Sequence, residues 1–375
     1  MRIALDIRPA LREGTGVGTV VEELVRALDA AEGDHELRLF TSSFKDRWDA
    51  KRLAQLNRST IIDAKWPVKL LNPLWHWIGM PKIESFVGPV DVAHSPTPLI
   101  LPAKAKKIIT LHDLYFFTHP EHTHDEIRRD YHRLVRRHTE RADLISTVSH
   151  ATKDAAVKHL GIEASRLRVC RPDASSFFDE DPCDTELDRV TSLTTRPFFL
   201  FVGTNEPRKN AEALINAFAQ ISSRNSDVAL VFFGARGWKT RPFDLALESI
   251  PDKKRVIITG YRDRYLLRAL YHRAIALVMP SHCEGFGLPL VEAMACGCPL
   301  IVRETSAMPE VAGDAAKYWS SGRIDELASI MESLFFDNEE RSDLIQRGRL
   351  RRRNFSWKMT AKKTLLMYDE LGSRS

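Results

Sequence analysis

Apolar runs of strand length alternate with segments of helical periodicity along the first half of the chain. Residues 1–7, MRIALDI, predict a buried strand, and residues 20–28 carry apolar side chains at helical spacing. Further strand-like runs lie at residues 37–40, 90–94, 107–111 and 143–148. Strands that alternate with helices are typical of a parallel, doubly wound sheet. We therefore predict an α/β domain in this half.

The alternation stops once and then resumes. Residues 171–197 carry three prolines and no clear period, and we interpret residues 176–195 as a linker. Predicted strands follow at residues 198–202, 228–233, 255–259, 274–279 and 299–302, and predicted helices at residues 210–221, 265–271, 290–296 and 357–371. Two such halves commonly bind a ligand in the cleft between them, at the carboxyl ends of their strands.

Composition narrows the class of protein. A length of 375 residues suits two domains, and 43% hydrophobic with 28% charged residues is typical of a globular chain. The five cysteines have no regular spacing, which favours a reducing compartment over a secreted disulfide framework. Because we find neither a signal sequence nor an apolar run of about 18 residues, we expect a cytoplasmic protein. The net charge of +5 is too small to imply nucleic acid.

The most informative stretch is residues 281–299, SHCEGFGLPLVEAMACGCP. Glu284 and Glu292 are separated by seven residues and flank a glycine-rich turn, after which Pro289 suits the start of a helix and Gly297 its end. Both carboxylates then lie near a helix N-terminus, whose free backbone N–H groups bind phosphate. This arrangement suits a sugar nucleotide, whose hydroxyls need acceptors on both sides of its diphosphate. In the alternative, Glu292 only complements the helix dipole and Glu284 is solvated.

These residues resemble the Glu-x7-Glu signature of the retaining glycosyltransferases of family 4. The resemblance extends to FLFVGTNEPRKN at residues 199–210 and continues through residues 256–280 and 309–311. It implies the GT-B fold, an α/β architecture of two Rossmann-like, doubly wound parallel-sheet domains facing across a cleft. It also implies that the C-terminal helix returns to the first domain. Residues 1–175 plus 357–375 would then form the acceptor-side domain, and residues 196–356 the donor-binding domain.

The resemblance assigns roles to residues of the second half. Arg208 and Lys209 match the pair that neutralises the donor diphosphate as it leaves, where fixed cations stabilise the developing negative charge; a solvated loop is the alternative. Glu292 matches the residue that holds the ribose hydroxyls, and Glu284 the one that faces the transferred sugar. Tyr261 lies where the family lines the base pocket, although an ordinary loop aromatic would also fit. The implied donor- and acceptor-binding residues are Gly16, Gly203, Arg208, Lys209, Tyr261, Glu284, Gly285, Phe286, Gly287, Leu288 and Glu292.

The first half carries two further candidate elements. The glycine loop at residues 14–18 is not a dinucleotide fingerprint, because Thr19 stands where the third glycine is needed. The family has a comparable loop near the donor phosphates and the acceptor, which assigns that role to Gly16. His112 and Asp113 follow a predicted strand and resemble the His-Asp step of a family subgroup. The resemblance implies that His112 positions the reactants and stabilises charge by the anomeric carbon, with Asp113 in support, while the departing phosphate oxygen takes the acceptor proton.

Two small groups of residues admit two interpretations each. His119, His122 and His124 have spacings that could ligate zinc, but we expect a polar loop, with no metal or other cofactor. Asp6 and Arg8 fit the opening I-D-x-R pattern of the subgroup, and a structural salt bridge fits them as well.

Three basic or apolar patches also admit two interpretations each. The arginine-rich segments at residues 128–141 and 347–353 predict solvated helix faces, or surfaces that meet phosphate or an anionic membrane. A third patch forms either an excursion of the core or an element that binds the acceptor or a membrane surface. Its members are Trp66, Trp75, Trp77, Lys65, Lys69 and Lys82.

The motifs H-S-P at residues 94–96 and T-H-P-E at residues 118–121 favour the mannosyltransferase-like subgroup. We predict a retaining, metal-independent glycosyltransferase that moves mannose from GDP-mannose to a growing, lipid-linked glycan in lipopolysaccharide or other cell-surface polysaccharide synthesis. Its partners would be the sugar nucleotide, the glycan acceptor and, peripherally, the inner membrane, but no nucleic acid. The alternatives are a nucleotide-sugar epimerase of similar bilobal fold and a nucleic-acid-binding protein that uses residues 347–353.

Overall fold

The chain forms two compact units, each built on one parallel sheet. A computed structural model describes residues 1–11, 14–43, 46–48, 56–123, 125–225 and 227–373. The first unit comprises Met1–Asp173 and the C-terminal segment that begins at Ser356, and the second comprises Ala174–Phe355. The predicted α/β class, with a doubly wound parallel sheet in each half, is confirmed.

The first unit contains a seven-stranded parallel sheet in the order β3-β2-β1-β4-β5-β6-β7. Its strands are β1 Arg2–Asp6, β2 Glu36–Thr41, β3 Thr60–Asp63, β4 Val92–Ser95, β5 Lys106–Leu111, β6 Leu144–Thr147 and β7 Leu167–Val169. The chain moves outward from β1 on one side and from β4 on the other, so the topological switch point lies between these two strands. Ile3, Ala4 and Leu5 are fully buried, as expected of a central strand in a parallel sheet that is covered on both faces.

The helices of the first unit pack their apolar faces onto this sheet. They are α1 Gly16–Asp29, α2 Val68–Pro73, α3 Glu84–Val87, α4 Tyr115–Thr118, α5 Asp125–Arg141, α6 His150–Leu160 and a C-terminal helix, Trp357–Gly372. A π-helical turn, Leu74–Ile78, follows α2, and 3-10 turns lie at Arg8–Leu11, Pro120–His122 and Ala164–Arg166. The C-terminal helix packs on α1 and buries Met367 and Tyr368 in the core of this unit. The Tyr368 hydroxyl lies 2.8 Å from Nδ1 of His94 on β4.

The second unit contains a six-stranded parallel sheet in the order β10-β9-β8-β11-β12-β13. Its strands are β8 Phe198–Val202, β9 Ala229–Phe233, β10 Val256–Gly260, β11 Ala276–Met279, β12 Leu300–Arg303 and β13 Ala316–Trp319. Its helices are α7 Asp184–Leu193, α8 Ala211–Arg224, α9 Arg241–Glu248, α10 Arg264–Arg273, α11 Leu288–Ala295, α12 Met308–Ala312, α13 Ile324–Phe336 and α14 Asn338–Arg352, with 3-10 turns at Ser176–Asp179, Pro207–Lys209 and Lys253–Arg255. Every residue of β8, β9 and β11 is buried, which explains their uninterrupted apolar runs.

The interpretation of residues 176–195 as an irregular linker is wrong. The segment contains α7, which packs on α10 of the second unit. The buried residues of α7 are Glu186 and Val190, and Glu186 pairs at 2.7 Å with the buried guanidinium of Arg268 on α10. Because Val190 is its only fully buried apolar residue and the other buried side chain is an ionic one, the sequence of this helix offers little apolar pattern from which to predict it.

Three short strands also escape sequence-based prediction. They are β3, β7 and β13, and each lies at an edge of its sheet. These three strands are three or four residues long and only partly buried, so they carry no continuous apolar run. The strands and helices that were predicted fall within a few residues of those observed.

Candidate functional site

The candidate residues of the second unit lie on two loops that leave neighbouring strands. β8 pairs with β11, and the chain moves outward from β8 to β9 and β10 but from β11 to β12 and β13. The topological switch point of this sheet therefore lies between β8 and β11. Residues 203–210 follow the carboxyl end of β8, and residues 280–287 follow that of β11. In open α/β sheets this is where ligands bind.

Arg208, Lys209 and Glu284 meet across these loops in an ionic cluster. Nη1 of Arg208 lies 2.8 Å from Oε2 of Glu284, and Nζ of Lys209 lies 2.7 Å from Oε1 of the same carboxylate. Lys209 and Glu284 are buried. The structure thus brings together three of the residues that the sequence singled out, although 75 residues separate the lysine from the glutamate.

Glu284 stays ionised at this position. Burial acts to raise its pKa, but the nearby charges of Arg208 and Lys209 outweigh burial and hold the pKa of Glu284 at about 2. Its backbone N–H donates to Oγ of Ser306 at 2.8 Å, which fixes the loop on the other side. The carboxylate is therefore a fixed negative charge, and the interpretation of Glu284 as a merely solvated side chain is wrong.

Glu206 belongs to the same cluster, and sequence reasoning missed it. Its Oε1 lies 2.8 Å from Nη2 of Arg208 and accepts from Nε of that side chain at 3.0 Å. Nη1 of Arg208 also donates to the carbonyl oxygen of Cys283 at 2.9 Å. The guanidinium is thus oriented by groups from both loops. The signal was present in the sequence, since Glu206 stands two residues before Arg208 in E-P-R-K-N.

The backbone that presents these cations has two special positions. Residues Pro207–Lys209 form a 3-10 turn that ends at Asn210, which is left-handed with φ of 53° and whose side-chain N–H donates to the Pro280 carbonyl at 3.1 Å. Gly203 has φ of 141°, and a Cβ there would lie 3.2 Å from Cε of Lys209. Glycine at 203 therefore permits the close passage of the lysine side chain.

Glu292 lies on α11 and has a partner that the sequence did not reveal. The hydroxyl of the buried Tyr271, on α10, donates to Oε2 of Glu292 at 2.9 Å. Burial raises the pKa of Glu292 to about 7, and the Tyr271 hydrogen bond and the charge of Lys209 oppose that rise only in part. The two carboxylates of the Glu-x7-Glu signature therefore differ in protonation near neutral pH.

The start of α11 is suited to an anion. Gly287 precedes the helix with φ of 94°, and no side chain caps the first turn, which begins at Leu288. Backbone N–H groups at such a terminus point out of the helix and carry partial positive charge. Phe286 lies on this turn, but its ring is buried 5.6 Å from that of Phe355, so only its backbone can serve a ligand. Gly285 begins the turn directly after Glu284.

Tyr261 follows β10 at the same edge of the sheet. Gly260 has φ of 67° and ends the strand, and the half-exposed ring of Tyr261 lies 6.2 Å from the ring of Phe233, which ends β9. The position is consistent with a base pocket at the carboxyl ends of the strands.

His112 and Asp113 lie directly after β5 in the first unit. Nε2 of His112 lies 2.9 Å from the carbonyl oxygen of Pro96, which can only accept, so Nε2 carries the proton and Nδ1 is left as an acceptor. Burial lowers the pKa of His112, while the Pro96 carbonyl and Asp113 act to raise it, and the ring is therefore neutral at pH 7. Asp113 accepts from the backbone N–H of Tyr115 at 3.0 Å and stabilises the start of α4.

Gly16 opens α1 after the Thr15 cap. The Thr15 hydroxyl accepts from the backbone N–H of Gly18 at 3.1 Å, and a Cβ on Gly16 would meet nothing within 4 Å. Space is therefore available on the open side of this helix start.

Several other residues prove structural. Nη2 of Arg8 lies 2.7 Å from Oδ2 of Asp6, and its guanidinium carbon lies 4.6 Å from the ring centroid of Trp75. Trp75 is itself buried, so it belongs to the core and not to a binding patch. His122 contacts the Tyr115 hydroxyl through Nδ1 at 2.5 Å, and the ring of His119 stacks on Tyr115.

The candidate zinc ligands are His119, His122 and His124. His124 lies outside the described residues. Within the described ranges, no three His, Cys, Asp or Glu side chains are grouped as metal ligands would be. Nor does any helix in those ranges have the length and apolar character needed to cross a membrane.

The chain is similar to known sugar-transferring enzymes. Residues 14–172 match the family described as Glycosyltransferase Family 4, and residues 184–351 match Glycosyl transferases group 1. The chain is 28% identical to O-antigen chain mannosyltransferase B of Escherichia coli over 99% of its own length and 100% of that protein. It is 27% identical, over 61% of its length, to the serotype-specific mannosyltransferase WbdA of Escherichia coli, a match that covers 30% of that longer protein. The solved structure of sucrose-phosphate synthase from Thermosynechococcus elongatus superposes over 100% of both chains with a TM-score of 0.79 at 20% sequence identity.

The two units, each built on one parallel sheet, and the likeness to this solved structure define the GT-B fold. The chain belongs to the family 4 and group 1 glycosyltransferases, which its two units match in order and over most of their lengths. The relative that the chain matches over 99% of its length is named as an O-antigen chain mannosyltransferase. The chain is therefore a glycosyltransferase.

Proposed function

We propose that this enzyme transfers mannose from GDP-mannose to a growing, lipid-linked glycan, with retention of anomeric configuration and without a metal ion. The observation that carries the proposal is the ionic cluster of Arg208, Lys209 and Glu284 beside the uncapped start of α11. The choice of mannose is supported by the mannosyltransferases to which the chain is similar over 99% and 61% of its length.

In the proposed complex the second unit binds the sugar nucleotide. The backbone N–H groups of Gly285, Phe286, Gly287 and Leu288 would donate to the diphosphate and the sugar, because they lie on the turn that opens α11. Glu292, in its ionised form, would accept from the ribose hydroxyls. Tyr261 would lie against the base.

The cations would act when the sugar–phosphate bond breaks. Negative charge then develops on the leaving diphosphate, and Arg208 and Lys209 are already fixed by Glu284 and Glu206, so they need little reorganisation to stabilise it. Because these side chains supply two positive charges, transfer would need no metal ion to neutralise the leaving diphosphate. Glu284 would face the transferred sugar and hold its hydroxyls.

The acceptor side would be served by the first unit. His112, with Nε2 held by the Pro96 carbonyl, offers Nδ1 as an acceptor to a sugar or acceptor hydroxyl. Asp113 would support it through the start of α4, and Gly16 would leave room at the start of α1. The departing phosphate oxygen would take the acceptor proton, so no side chain has to be a covalent nucleophile.

A ligand screen followed by a transfer assay tests the proposal. GDP should stabilise the protein against thermal unfolding more than UDP or ADP does at equal concentration, because the ligand with the lower Kd raises the free energy of unfolding more. A ligand at 100 times its Kd adds about 2.7 kcal/mol. With GDP-mannose and a lipid-linked glycan, nuclear magnetic resonance should show an α-linked product. An epimerase would change the sugar nucleotide without acceptor, and a β-linked product would contradict retention.

Metal independence is tested in the same assay. Transfer should continue in the presence of EDTA, because the leaving diphosphate is proposed to be neutralised by Arg208 and Lys209. Loss of activity that is restored by adding a divalent cation would contradict this part of the proposal.

A further inference from the structure

We propose that the outward face of residues 65–82 in the first unit docks on an anionic membrane surface. The inference rests on the proposed lipid-linked acceptor and names the surface that would bring the enzyme to it. We call this face the docking surface. It is formed by α2, the π-helical turn after it and the residues on either side.

Large apolar side chains are concentrated on the docking surface. Five of the 14 exposed large hydrophobic side chains in the described ranges fall within these residues, whereas the other nine are spread over the rest of the chain. Clustered exposure of this kind marks an interaction surface, while single exposed apolar residues are ordinary. The five are Trp66, Leu70, Trp77, Ile78 and Met80, with exposed fractions of 41%, 61%, 46%, 67% and 49%.

The element that carries these side chains is anchored from below. Leu71 and Trp75, one helical turn apart, are buried, and the Trp75 ring lies 5.4 Å from that of Phe40 on β2. Nε1 of Trp75 donates to the Pro81 carbonyl at 2.9 Å. One face of the segment therefore belongs to the core, so the opposite face is held outward and its apolar side chains cannot turn inward.

Basic residues accompany the apolar ones, which identifies the occupant. Residues 64–82 contain three lysines and no Asp or Glu. From α5, the guanidinium carbon of Arg133 lies 5.9 Å from the ring centroid of Trp77, and Nη1 of Arg137 lies 3.5 Å from the carbonyl oxygen of His76. A surface with Trp and aliphatic side chains among Lys and Arg fits the boundary between anionic headgroups and acyl chains, where the rings and methyl groups enter and the charges stay with the headgroups.

Vesicle flotation with the full chain tests the inference. Vesicles of phosphatidylcholine, with or without about 30% phosphatidylglycerol, serve as the probe. The wild-type protein should float with the anionic vesicles, and should do so less at high salt because the charges are then screened. The variant Leu70→Ser/Ile78→Ser should bind about tenfold or more weakly, since two exposed apolar anchors are lost. Lys69→Gln/Lys82→Gln should weaken binding about fivefold for each lysine.

A matched control separates this surface from exposed apolar residues in general. Leu245→Ser/Phe336→Ser removes two large apolar side chains of similar exposure, 56% and 64%, from the second unit and should float like the wild type. Flotation of Leu70→Ser/Ile78→Ser at the wild-type level would overturn the inference. So would failure of the folded wild-type protein to float with anionic vesicles, which is the result expected if the docking surface binds a protein.

Transfer to a water-soluble acceptor distinguishes this inference from the proposed function. The Leu70→Ser/Ile78→Ser variant should keep its kcat on such an acceptor, because both changes lie on exposed positions outside the proposed binding residues. If the wild-type protein transfers the sugar but does not float with anionic vesicles, only the docking surface is overturned. Flotation combined with absent transfer would support the docking surface and contradict the proposed function.

Discussion

Nζ of Lys209 lies 2.7 Å from Oε1 of Glu284, and both side chains are buried. A buried ion that loses its partner destabilises a protein by about 3–5 kcal/mol, so each residue constrains the other. The lysine passes over Gly203 to reach the carboxylate, and Arg208 binds the other carboxylate oxygen. The consequence is a set of charges whose positions are fixed by the fold before any ligand arrives.

Removal of either cation should impair transfer. We expect Arg208→Ala and Lys209→Ala each to cost about 2–4 kcal/mol of transition-state stabilisation, the scale of one preorganised contact to a developing negative charge. The measurement is kcat/KM for mannosyl transfer, with thermal unfolding of each variant as a check of folding. Lys254→Ala, an exposed change in the same unit, is the control. Wild-type kcat/KM in either cluster variant would rule out their role at the diphosphate.

Loss of the Tyr271 hydroxyl should shift the pH dependence of nucleotide binding. The hydrogen bond from Tyr271 lowers the pKa of Glu292, which burial raises to about 7. In Tyr271→Phe the pKa of Glu292 should rise further. As the pH is lowered, GDP affinity should therefore begin to fall at a higher pH than in the wild type, because the ionised carboxylate is the better acceptor. Titration of GDP between pH 6 and about 9 measures this. Tyr318→Phe, in the same unit, should leave the profile unchanged, and an unshifted profile in Tyr271→Phe would separate Glu292 from nucleotide binding.

His112→Ala should separate catalysis from nucleotide binding. The proposed donor-binding residues belong to the second unit and His112 to the first, so GDP affinity should stay close to that of the wild type. The kcat should fall by about a hundredfold, the pattern of an interaction made mainly in the transition state. His159→Ala on α6 is a control for the loss of a histidine in this unit. A variant that no longer binds nucleotide but turns over normally at saturating donor would show that His112 serves the donor instead.

The buried His138 and the partly buried His76 should make the first unit sensitive to acid. Burial lowers the pKa of His138 to about 3 and that of His76 to about 4, and their rings lie 5.7 Å apart. The unfolded chain binds these protons below about pH 6.5 while the folded chain does not, so the free energy of unfolding should fall as the pH drops from 6.5 towards 4. For His138 the loss approaches 1.4 kcal/mol per pH unit.

The acid sensitivity is measured by urea unfolding at pH 7 and at pH 5. In His138→Gln the difference between the two should shrink, since the glutamine side chain does not titrate. The amide oxygen of glutamine can take over the hydrogen bond that Nδ1 of His138 accepts from the backbone N–H of Ile100 at 3.1 Å. An unchanged difference would contradict the role of His138, and His159→Ala provides the comparison for a more accessible histidine.

The sequence by itself determined the fold class and much of the candidate site. Central strands such as β8 and β11 are buried on both faces, so their residues are apolar without interruption and predict strands directly. Glu284 and Glu292 were recognisable because the turn and the helix between them are local and leave a fixed spacing in the chain. Arg208 and Lys209 were recognisable for the same reason.

The tertiary structure decided which residues serve as partners and which are exposed. Glu284 reaches Lys209 because β11 pairs with β8 and not with β10, the strand before it in the chain, and Tyr271 reaches Glu292 from a different helix. The helix α7 is held by an ion pair between Glu186 and Arg268, which are 82 residues apart. The sequence around α7 therefore does not show what the helix packs on. Trp75 and Trp77 stand two residues apart in one apolar segment, yet one is in the core and the other faces outward. Periodicity records only which side of its own element a residue occupies, whereas pairing, pKa and exposure depend on which element packs against that side.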